Sequence, residues 1–371
     1  MGRSMTGGEM KYHGVLLFPA GSDDFGEDVA LEHYNGFRAD MLLTVKDVWC
    51  FRHIQSLAIN FTPMVPIDST PLSPSITSRL STPFKVISIS RFGQKELKNA
   101  GIESEYIPHG IDVNTYKPLN RRAECRKLFY LNEDDYIVGY VGLNRARKMI
   151  PRVLRVYKRF LENNPDVKSH MFLWTDVRAT APPTSEDDVG MGVSDVSINL
   201  LPEIMSLGLG ERVIWPEEKL VRKGIPEWAG DDYQGGWDMV KIYNAIDVIL
   251  GASNEGFWFP GLDAQACGVQ AVQMDVAAAP EIVGAGYVVP YVDYIITNSP
   301  GTRYMLVDID KAAEALEKVM NSDREKMARK ARAFAERFSW EKVADTYWKP
   351  FLEDCEKELH PLITKEGLSH W

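Results

Sequence analysis

Short apolar segments alternate with amphipathic, helix-like segments along almost the whole chain. In the first part of the sequence the segments that predict strands are residues 14–19, 41–45, 85–90 and, more weakly, 56–61. A further strand is predicted to end in the turn at residues 106–112. Strands that alternate with helices are typical of parallel sheets covered by helices. The pattern therefore predicts an α/β fold with parallel sheets.

A second α/β unit is predicted to begin with a nearly continuous apolar strand at residues 136–142. The elements predicted after it are a helix at 151–164, strands at 171–174 and 246–251, and helices at 311–321, 324–338 and 340 to about 358. Residues 179–192 have the composition of a surface loop, because Pro, Ser, Asp and Gly recur there without periodicity.

A polar stretch at residues 114–122 separates the two units and is predicted to be a linker. We therefore predict a first domain at residues 1–113 and a second at 114–339. The C-terminal segment, 340–371, is expected to form a helix that packs back on the first domain.

The composition is that of an ordinary globular protein of two-domain size. The chain has 371 residues, of which 45% are hydrophobic and 25% charged. No apolar run is long enough for a membrane span, so we expect a cytoplasmic protein. The net charge of -10 argues against broad contacts with a nucleic-acid backbone. Four scattered cysteines lack metal-ligand spacing, which favours free thiols.

Residues 254–268 carry the most specific motif in the chain. They read Asn-Glu-Gly-Phe-Trp-Phe-Pro-Gly-Leu-Asp-Ala-Gln-Ala-Cys-Gly and follow the predicted strand at 246–251. A proline near a helix start and small residues along the helix are typical of a strand–loop–helix unit. Backbone N–H groups at such a helix start bind anions or hydroxyl oxygens. The motif therefore predicts a ligand site at the end of the strand.

This motif resembles the nucleotide-sugar signature of retaining GT-B glycosyltransferases, the class that includes glycogen synthases and bacterial mannosyltransferases. Its pattern is Glu-Gly-Phe-Gly-x-Pro-x-x-Glu-Ala-x-Ala-x-Gly; here Trp258 replaces a usual Gly and Asp263 a usual Glu. The resemblance extends over about residues 15–348 and includes a Pro-Glu-x-x-Gly segment at 280–284. It implies a GT-B-like fold, in which the parallel sheets of two Rossmann-like domains face a cleft.

The resemblance also implies that the N-terminal domain is incomplete. In the GT-B class this domain opens with a strand and a Gly-rich loop, whereas residues 7–14 resemble a hairpin that lies well inside the domain. A minimal gene, a misplaced start and a missing part supplied by another chain are alternatives at this stage. An open sheet edge in the first domain would favour a homodimer or a partner chain that covers it.

A basic turn follows the first strand of the second unit. Asn144, Arg145, Arg147 and Lys148 lie near a helix start, where cations and the helix dipole suit a diphosphate. The resemblance implies an Arg and a Lys that neutralise the leaving diphosphate. Lys148 falls at the Lys position, while Leu143 occupies the usual Arg position. We predict that Arg145 and Lys148 are catalytic and that Asn144 and Arg147 bind the donor; a solvated basic helix cap is the alternative.

The resemblance assigns contacts with the donor to the acidic motif. Glu255, predicted as catalytic, would bind hydroxyls of the donor sugar and Asp263 those of the ribose, since a carboxylate accepts from two hydroxyls at once. Gly256 and Phe257 would present backbone amides to the sugar. Trp258 is predicted to bind the donor, either by narrowing the pocket or by stacking on a ring; packing in the core is the alternative. The alternative for Glu255 is a helix-capping acid.

Three residues of the first domain are further candidates. His109 lies in Pro-His-Gly-Ile-Asp, where relatives have Pro-Asn-Gly-Val-Asp, and either contacts the donor or shapes the turn. Asp68 ends a Val-Pro-Ile-Asp segment that resembles one from a phage and bacterial branch of the class, with Ser69 in place of a His. Arg91 recurs in that branch. We predict that His109 binds the donor and that Asp68 and Arg91 lie on the acceptor side.

The resemblance as a whole implies a retaining, metal-independent glycosyltransferase. It would transfer a sugar from a UDP- or GDP-linked donor to an acceptor hydroxyl, without a cofactor or a bound metal. The leaving diphosphate, held by cations, would help to deprotonate the acceptor on the same face. A nucleotide-sugar-binding or assembly protein with little turnover is the alternative, and a nucleotide-sugar epimerase a weaker one. The acceptor is not identified by the sequence.

Overall fold

A computed structural model describes residues 10–12, 14–18, 21–23, 25–179, 197–216, 239–296 and 302–360. The predicted loop at 179–192 lies, apart from its first residue, outside these ranges. The chain begins with an antiparallel hairpin of β1 (Met10–Tyr12) and β2 (Val15–Leu17). A hairpin was expected near this position. The segment at 14–19 is thus a strand, but it does not join the parallel sheet of the first domain.

A four-stranded parallel sheet forms the first domain. Its strands follow the chain order: β3 (Leu42–Val45), β4 (Phe61–Val65), β5 (Ile87–Ser88) and β6 (Glu105–Tyr106). The helices in this part are α1 (Glu27–Gly36), α2 (Pro74–Thr77) and α3 (Arg91–Asn99), with 3-10 turns at Val48–Cys50, Ile54–Ser56 and Ser78–Leu80. All strands run in one direction, so their carboxyl ends share one edge of the sheet.

The prediction of a weak strand at residues 56–61 is wrong. Ile54–Ser56 forms a 3-10 turn, and the strand starts at Phe61 instead. All five residues of β4 are buried, because it pairs with β3 on one side and β5 on the other. Pro63 obscures this strand in the sequence, since proline lacks the N–H that a central strand normally donates. Burial on both faces outweighs that loss.

The second domain contains a six-stranded parallel sheet. Its order is β12 (Gly286–Val289), β11 (Gln270–Met274), β10 (Val248–Leu250), β7 (Tyr136–Val141), β8 (Ser169–Trp174) and β9 (Val213–Ile214). Helix α4 (Arg122–Leu128) precedes this sheet, and the helices between its strands are α5 (Ile150–Asn163), α6 (Leu201–Ser206), α7 (Met239–Ala245), α8 (Phe259–Ala266) and α9 (Ala279–Ile282). The strand order reverses between β7 and β10. Ligands of open α/β sheets bind at the carboxyl ends of the strands at such a reversal.

The last part of the chain adds a hairpin and several helices. They are β13 (Tyr291–Ile296), β14 (Arg303–Val307), α10 (Ile309–Met320), α11 (Arg324–Ala335), a 3-10 turn at Glu336–Phe338, α12 (Trp340–Val343), a π-helical turn at Ala344–Trp348 and α13 (Lys349–Leu359). The final helices contact the first domain: the rings of Tyr106 and Tyr347 lie 5.4 Å apart, and Lys85 pairs with Glu358. The exact domain boundaries stay a prediction.

Burial explains why the second domain is well specified by its sequence. Helix α5 places Val153, Leu154, Tyr157 and Phe160 at one face, and each is fully buried. Their spacing of three and four residues matches one side of a helix. Among the described residues, no helix combines the length and the apolar character that crossing a membrane requires. The fold is thus two Rossmann-like α/β domains whose sheets are parallel.

Candidate functional site

Two loops of the second domain meet where the strand order reverses. One follows β7 and ends at Lys148; the other follows β10 and contains Glu255. The Lys148 Nζ donates to Glu255 Oε1, and the Ser253 hydroxyl donates to the same oxygen over 2.8 Å. Both charged side chains are largely buried, with 17% and 14% of their surface exposed. The structure therefore brings together the predicted cation and the predicted acid.

Both loops enter their helices through a residue in the left-handed region. Met149 has φ 53° immediately before α5, and Trp258 has φ 63° immediately before α8. For residues other than glycine this conformation costs roughly 1–2 kcal/mol. Strained backbone of this kind is concentrated at functional sites. The left-handed conformation lets each loop turn sharply into its helix. Both helices therefore begin at the ligand-binding edge of the sheet.

The electrostatic surroundings keep Glu255 ionised. Burial alone would raise its pKa, but the charges of Lys148 and Arg147 and the hydrogen bonds from Lys148 and Ser253 outweigh burial and lower the pKa. An ionised carboxylate only accepts hydrogen bonds. Glu255 is therefore suited to bind hydroxyl groups and not to donate a proton.

The first domain supplies the opposite wall of this site. A Cβ atom added to Gly256 would lie 2.9 Å from the Pro66 Cβ, so the two loops are in direct contact. The buried Asn254 amide donates to the Asp68 carbonyl oxygen over 2.8 Å and to the Arg303 carbonyl oxygen over 3.1 Å. The turn after β4 is thereby fixed against the acidic motif. The site lies between the two domains.

Two aspartates of the first domain face the basic turn. Asp47 follows β3 and Asp68 follows β4, at the carboxyl ends of adjacent parallel strands. Burial raises the pKa of Asp68 to about 7; the negative charges of Asp47 and Glu255 add to this shift, while Arg147 and Lys148 oppose it. Burial also raises the pKa of Asp47, and Arg147 is the strongest of the charges that oppose that increase. The structure thus brings Asp68 to the predicted site.

The remaining residues of the basic turn differ in their surroundings. Arg145 and Arg147 are half-buried, and Arg147 interacts electrostatically with Glu255 and both aspartates. The Asn144 amide donates to the carbonyl oxygens of Asp176 and Ile198, each over 2.6 Å, and its oxygen accepts from the Ile198 N–H. Asn144 therefore holds two loops together; its predicted contact with a donor stays a prediction.

The aromatic residues of the motif are packed inside the protein. Trp258 is 6% exposed, and its ring covers Gly261, where an added Cβ would lie 2.1 Å from a ring atom. The ring is thus packed in the core, and its predicted contact with a donor stays a prediction. His109 lies 5.1 Å from the ring of Phe257 and 4.9 Å from that of Phe259. Burial lowers the pKa of His109 to about 4, so the imidazole is neutral near pH 7.

Asp263 and Arg91 are the remaining residues that the sequence predicts for the site. Asp263 lies on α8 and is 8% exposed, and its ribose contact stays a prediction. The guanidinium of Arg91 lies 3.7 Å from the centre of the Tyr106 ring and donates to the Gln94 side chain over 2.9 Å. These contacts hold Arg91 at the start of α3. Its predicted role on the acceptor side likewise stays a prediction.

Sequence reasoning missed two contributors to the site, Asp47 and Ser253. Asp47 directly follows a predicted strand, and its position beside the next strand end could have indicated it. Ser253 gave no signal, since serine is common in loops. Glu281, in the Pro-Glu-x-x-Gly segment, has a structural contact instead: its carboxylate accepts the backbone N–H groups of Arg91 and Phe92, each over 2.8 Å. It thus caps α3 from the other domain.

Two glycosyltransferases are among the known proteins to which this chain is similar in sequence. The chain is 26% identical over 243 residues to a D-inositol 3-phosphate glycosyltransferase of Actinosynnema mirum, which covers 65% of this chain and 49% of that protein. It is 25% identical over 189 residues to the lipopolysaccharide core biosynthesis mannosyltransferase LpsB of Rhizobium meliloti, covering 50% of this chain and 44% of the other. The chain thus spans about half the length of these relatives. No known family profile matches it.

Solved structures show the same fold. Sucrose-phosphate synthase from Thermosynechococcus elongatus superposes with a TM-score of 0.65 at 15% identity, covering 94% of this chain and 85% of the other. Anabaena HepE in complex with UDP and glucose gives 0.62 at 16% identity, with 88% and 81% covered. The chain therefore has the GT-B fold. Its relatives in sequence are glycosyltransferases, as the motif at residues 254–268 predicted.

Proposed function

We propose that this chain is a retaining glycosyltransferase that uses a nucleoside diphosphate sugar. The observation that carries the proposal is the Lys148–Glu255 pair, which lies between the domains where the strand order reverses. The comparisons support it, since relatives are named as glycosyltransferases and a neighbour binds UDP and glucose. The donor is expected to be UDP- or GDP-linked.

In this proposal the cations bind the leaving group. Lys148 and Arg147 lie at the start of α5, where the helix dipole also favours an anion. They would hold the two phosphates, with Arg145 as a further contact. Charge that develops on the diphosphate oxygen would then be neutralised as the bond to the anomeric carbon breaks. This is the main catalytic contribution that we assign to the chain.

Glu255 would orient the donor sugar. Because it is ionised and held by Ser253, it presents a fixed acceptor to sugar hydroxyls. The acceptor oxygen forms a bond to the anomeric carbon, and the electron pair of the broken bond stays on the diphosphate. The hydroxyl proton passes to a diphosphate oxygen on the same face of the sugar, which retains the configuration. No metal is proposed in this step.

A thermal-shift and turnover experiment tests the proposal. A ligand that binds only the folded state raises the melting temperature, so UDP, GDP, ADP and their sugars are compared with and without EDTA. The donor that gives a shift is incubated with an acceptor panel, and products are followed by mass spectrometry, with NMR to assign the anomeric configuration. We expect transfer with retention. A donor that binds without any transfer or hydrolysis would favour the binding protein.

Two variants separate the roles within the site. Glu255→Ala should weaken binding of the nucleotide sugar more than binding of the bare diphosphate, because it removes a contact with the sugar and leaves Lys148 to the diphosphate. Lys148→Ala should weaken both. Glu162→Ala, on the exposed face of α5, is the matched control and should change neither. If no nucleotide or nucleotide sugar binds to the wild-type chain, the proposal is wrong.

A further inference from the structure

The acceptor side of the cleft contains a pair of carboxyl groups. Asp47 and Asp68 follow adjacent parallel strands of the first domain and interact electrostatically with each other. Asp68 also interacts with Glu255, Arg147 and Lys148. The pair therefore lies opposite the basic turn, across the boundary between the domains.

The polar groups in this part of the cleft are incompletely satisfied. Asp47 accepts a hydrogen bond from the Trp49 side chain. Within the described ranges the Asp68 carboxyl group makes no hydrogen bond or ion pair, and burial raises its pKa to about 7 against the opposing charges of Arg147 and Lys148. The neighbouring Ser69 hydroxyl is fully buried and has no partner among those residues either. Partly buried polar groups without partners are costly, which points to a ligand that supplies them.

Other charged groups lie near Asp47 and Asp68, on both walls of the cleft. Lys148 is bonded to Glu255 on the donor side. Arg147 lies between Glu255 and the aspartates and is assigned above to the diphosphate. On the first-domain side, the charge of Lys46 acts on Asp47 and opposes the increase in its pKa, and the Lys46 Nζ also lies 4.8 Å from the centre of the Phe25 ring. The acceptor would thus meet two carboxyl groups on one wall and a bound diphosphate on the other.

We propose that Asp47 and Asp68 bind the acceptor and select one whose reacting end is an uncharged polyol, such as a sugar without phosphate. This inference rests on the glycosyltransferase function proposed above. An uncharged acceptor would distinguish this chain from proteins to which it is similar and whose names include phosphate. They are the D-inositol 3-phosphate glycosyltransferase and sucrose-phosphate synthase.

The chemistry of the pair supports a neutral acceptor. A pair of carboxyl groups of which one is protonated can both donate to and accept from hydroxyls, and neighbouring sugar hydroxyls offer both kinds of group. A phosphate on the acceptor would lie close to these carboxylates and to the donor diphosphate. Like charges placed together in an interface are strongly unfavourable. The same pair thus favours a polyol and disfavours its phosphate ester.

Matched acceptor pairs test the inference by direct binding. The chain is saturated with the nucleoside diphosphate that gives the largest thermal shift. Myo-inositol, glucose and fructose are then each compared with inositol 3-phosphate, glucose 6-phosphate and fructose 6-phosphate by saturation-transfer NMR and competition. We expect each neutral member that binds to do so at least about tenfold more tightly than its phosphate ester, a difference of about 1.4 kcal/mol. Equal or tighter binding of the esters, or binding of neither member of any pair, would overturn the inference.

Two variants show whether the aspartates cause the selection. Asp47→Asn and Asp68→Asn keep the size of each side chain and remove its charge. We expect the preference to fall to below about threefold in the double variant. In the wild type it should increase from pH 6 to pH 8, as Asp68 loses its proton near Asp47, Glu255, Arg147 and Lys148. The Asp68→Asn variant controls for the titration of the phosphate ester, which changes charge near pH 6.

The two proposals fail in different ways. Loss of nucleotide binding in the wild-type chain removes the proposed function, whatever the acceptors do. Normal nucleotide binding with a preference for phosphate esters removes only the inference about the acceptor. The thermal shift with nucleotide is also measured for both variants, so that a misfolded variant is recognised. A variant that binds nucleotide normally but keeps the full preference shows that the aspartates are not its cause.

Discussion

Two charged clusters in this protein have opposite characters. In the first, Arg126 is 1% exposed and donates to Asp247 over 2.5 Å and to the carbonyl oxygens of Ala245 and Asp135 over 3.0 Å and 2.8 Å. Asp247 also accepts the Ile137 N–H over 2.8 Å. This cluster connects α4, α7 and β7, and its charges are paired within the fold.

The second cluster lies in the cleft and is only partly paired. Lys148 and Glu255 bond to each other, whereas the nearby Asp68 carboxyl group has its pKa raised to about 7 and makes no ion pair within the described ranges. The two clusters therefore differ in what their charges do. Charges that are paired within the fold stabilise it, whereas a partly buried acid that the fold does not pair lowers stability and is available for a ligand.

Breaking the first cluster should give the largest loss of stability. Asp247→Ala leaves the buried Arg126 guanidinium without its counter-charge, and removal of one partner of such a pair costs about 3–5 kcal/mol. We expect a loss of that size in the free energy of unfolding, measured by urea denaturation. The exposed pair offers a control: Glu162→Ala on α5 should cost less than about 1 kcal/mol. A similar loss in both variants would contradict the assignment of the first cluster.

The stability of the protein should also depend on the packing of Trp258, in the cleft loop after β10. Trp258→Gly removes strain at φ 63°, worth roughly 1–2 kcal/mol, but it empties a buried site whose loss costs about 3–5 kcal/mol. We expect a net destabilisation of about 2 kcal/mol in urea denaturation. Trp258→Phe keeps a ring at the site and should lose less than Trp258→Gly. If Trp258→Gly stabilised the chain, the core position of this ring would be wrong.

Replacing Asp68, in contrast, should increase the stability of the protein. The folded state raises the pKa of Asp68 from 3.8 to about 7, so it favours the protonated form. The resulting penalty is absent below about pH 4, grows as pH rises and is complete above about pH 7. Asp68→Asn should therefore stabilise the chain by ~1–3 kcal/mol at pH 8 and change little at pH 4. Thermal unfolding at the two pH values measures this, and a loss of stability at pH 8 would contradict it.

Weakening the contact that Glu281 makes between the domains should give the smallest change in stability. Glu281 accepts two backbone N–H groups at the start of α3, and a charged cap of this kind contributes about 1 kcal/mol. Glu281→Gln should reduce stability by about that amount. It should also increase hydrogen exchange at Arg91 and Phe92, since an amide offers only one oxygen. Unchanged exchange at both residues would show that this cap does not hold the domains together.

Much of the fold follows from local sequence, and the exceptions have physical causes. Strands such as β7 and helices such as α5 were predicted because their apolar positions repeat with the period of the element. Strand β4 was misplaced, since Pro63 contradicts a central strand and only burial between two neighbours explains it. The first apolar segment forms a strand of a hairpin because its partner is Met10–Tyr12 rather than another parallel strand.

The site was predictable where a motif encodes a local turn. Lys148 and Glu255 were selected from two separate loops, and the structure joins them. Asp47 was missed because its importance comes from its neighbour in space, not in sequence. The aromatic surroundings of His109 were equally hidden, as they depend on the contact between the first domain and α8. Local patterns identify loops, whereas pKa shifts require the packing of both domains.

The central claim is that Lys148 in the cleft binds the diphosphate of the donor. The most direct measurement is isothermal titration of UDP and GDP into the wild-type chain, Lys148→Ala and Lys158→Ala. Lys158 lies on the exposed face of α5 and pairs only weakly with Glu162 over 3.6 Å, so it is a matched control. We expect the dissociation constant to rise by at least about tenfold in Lys148→Ala and to stay within about twofold in Lys158→Ala. Equal effects of the two substitutions, or unchanged binding in Lys148→Ala, would contradict the claim.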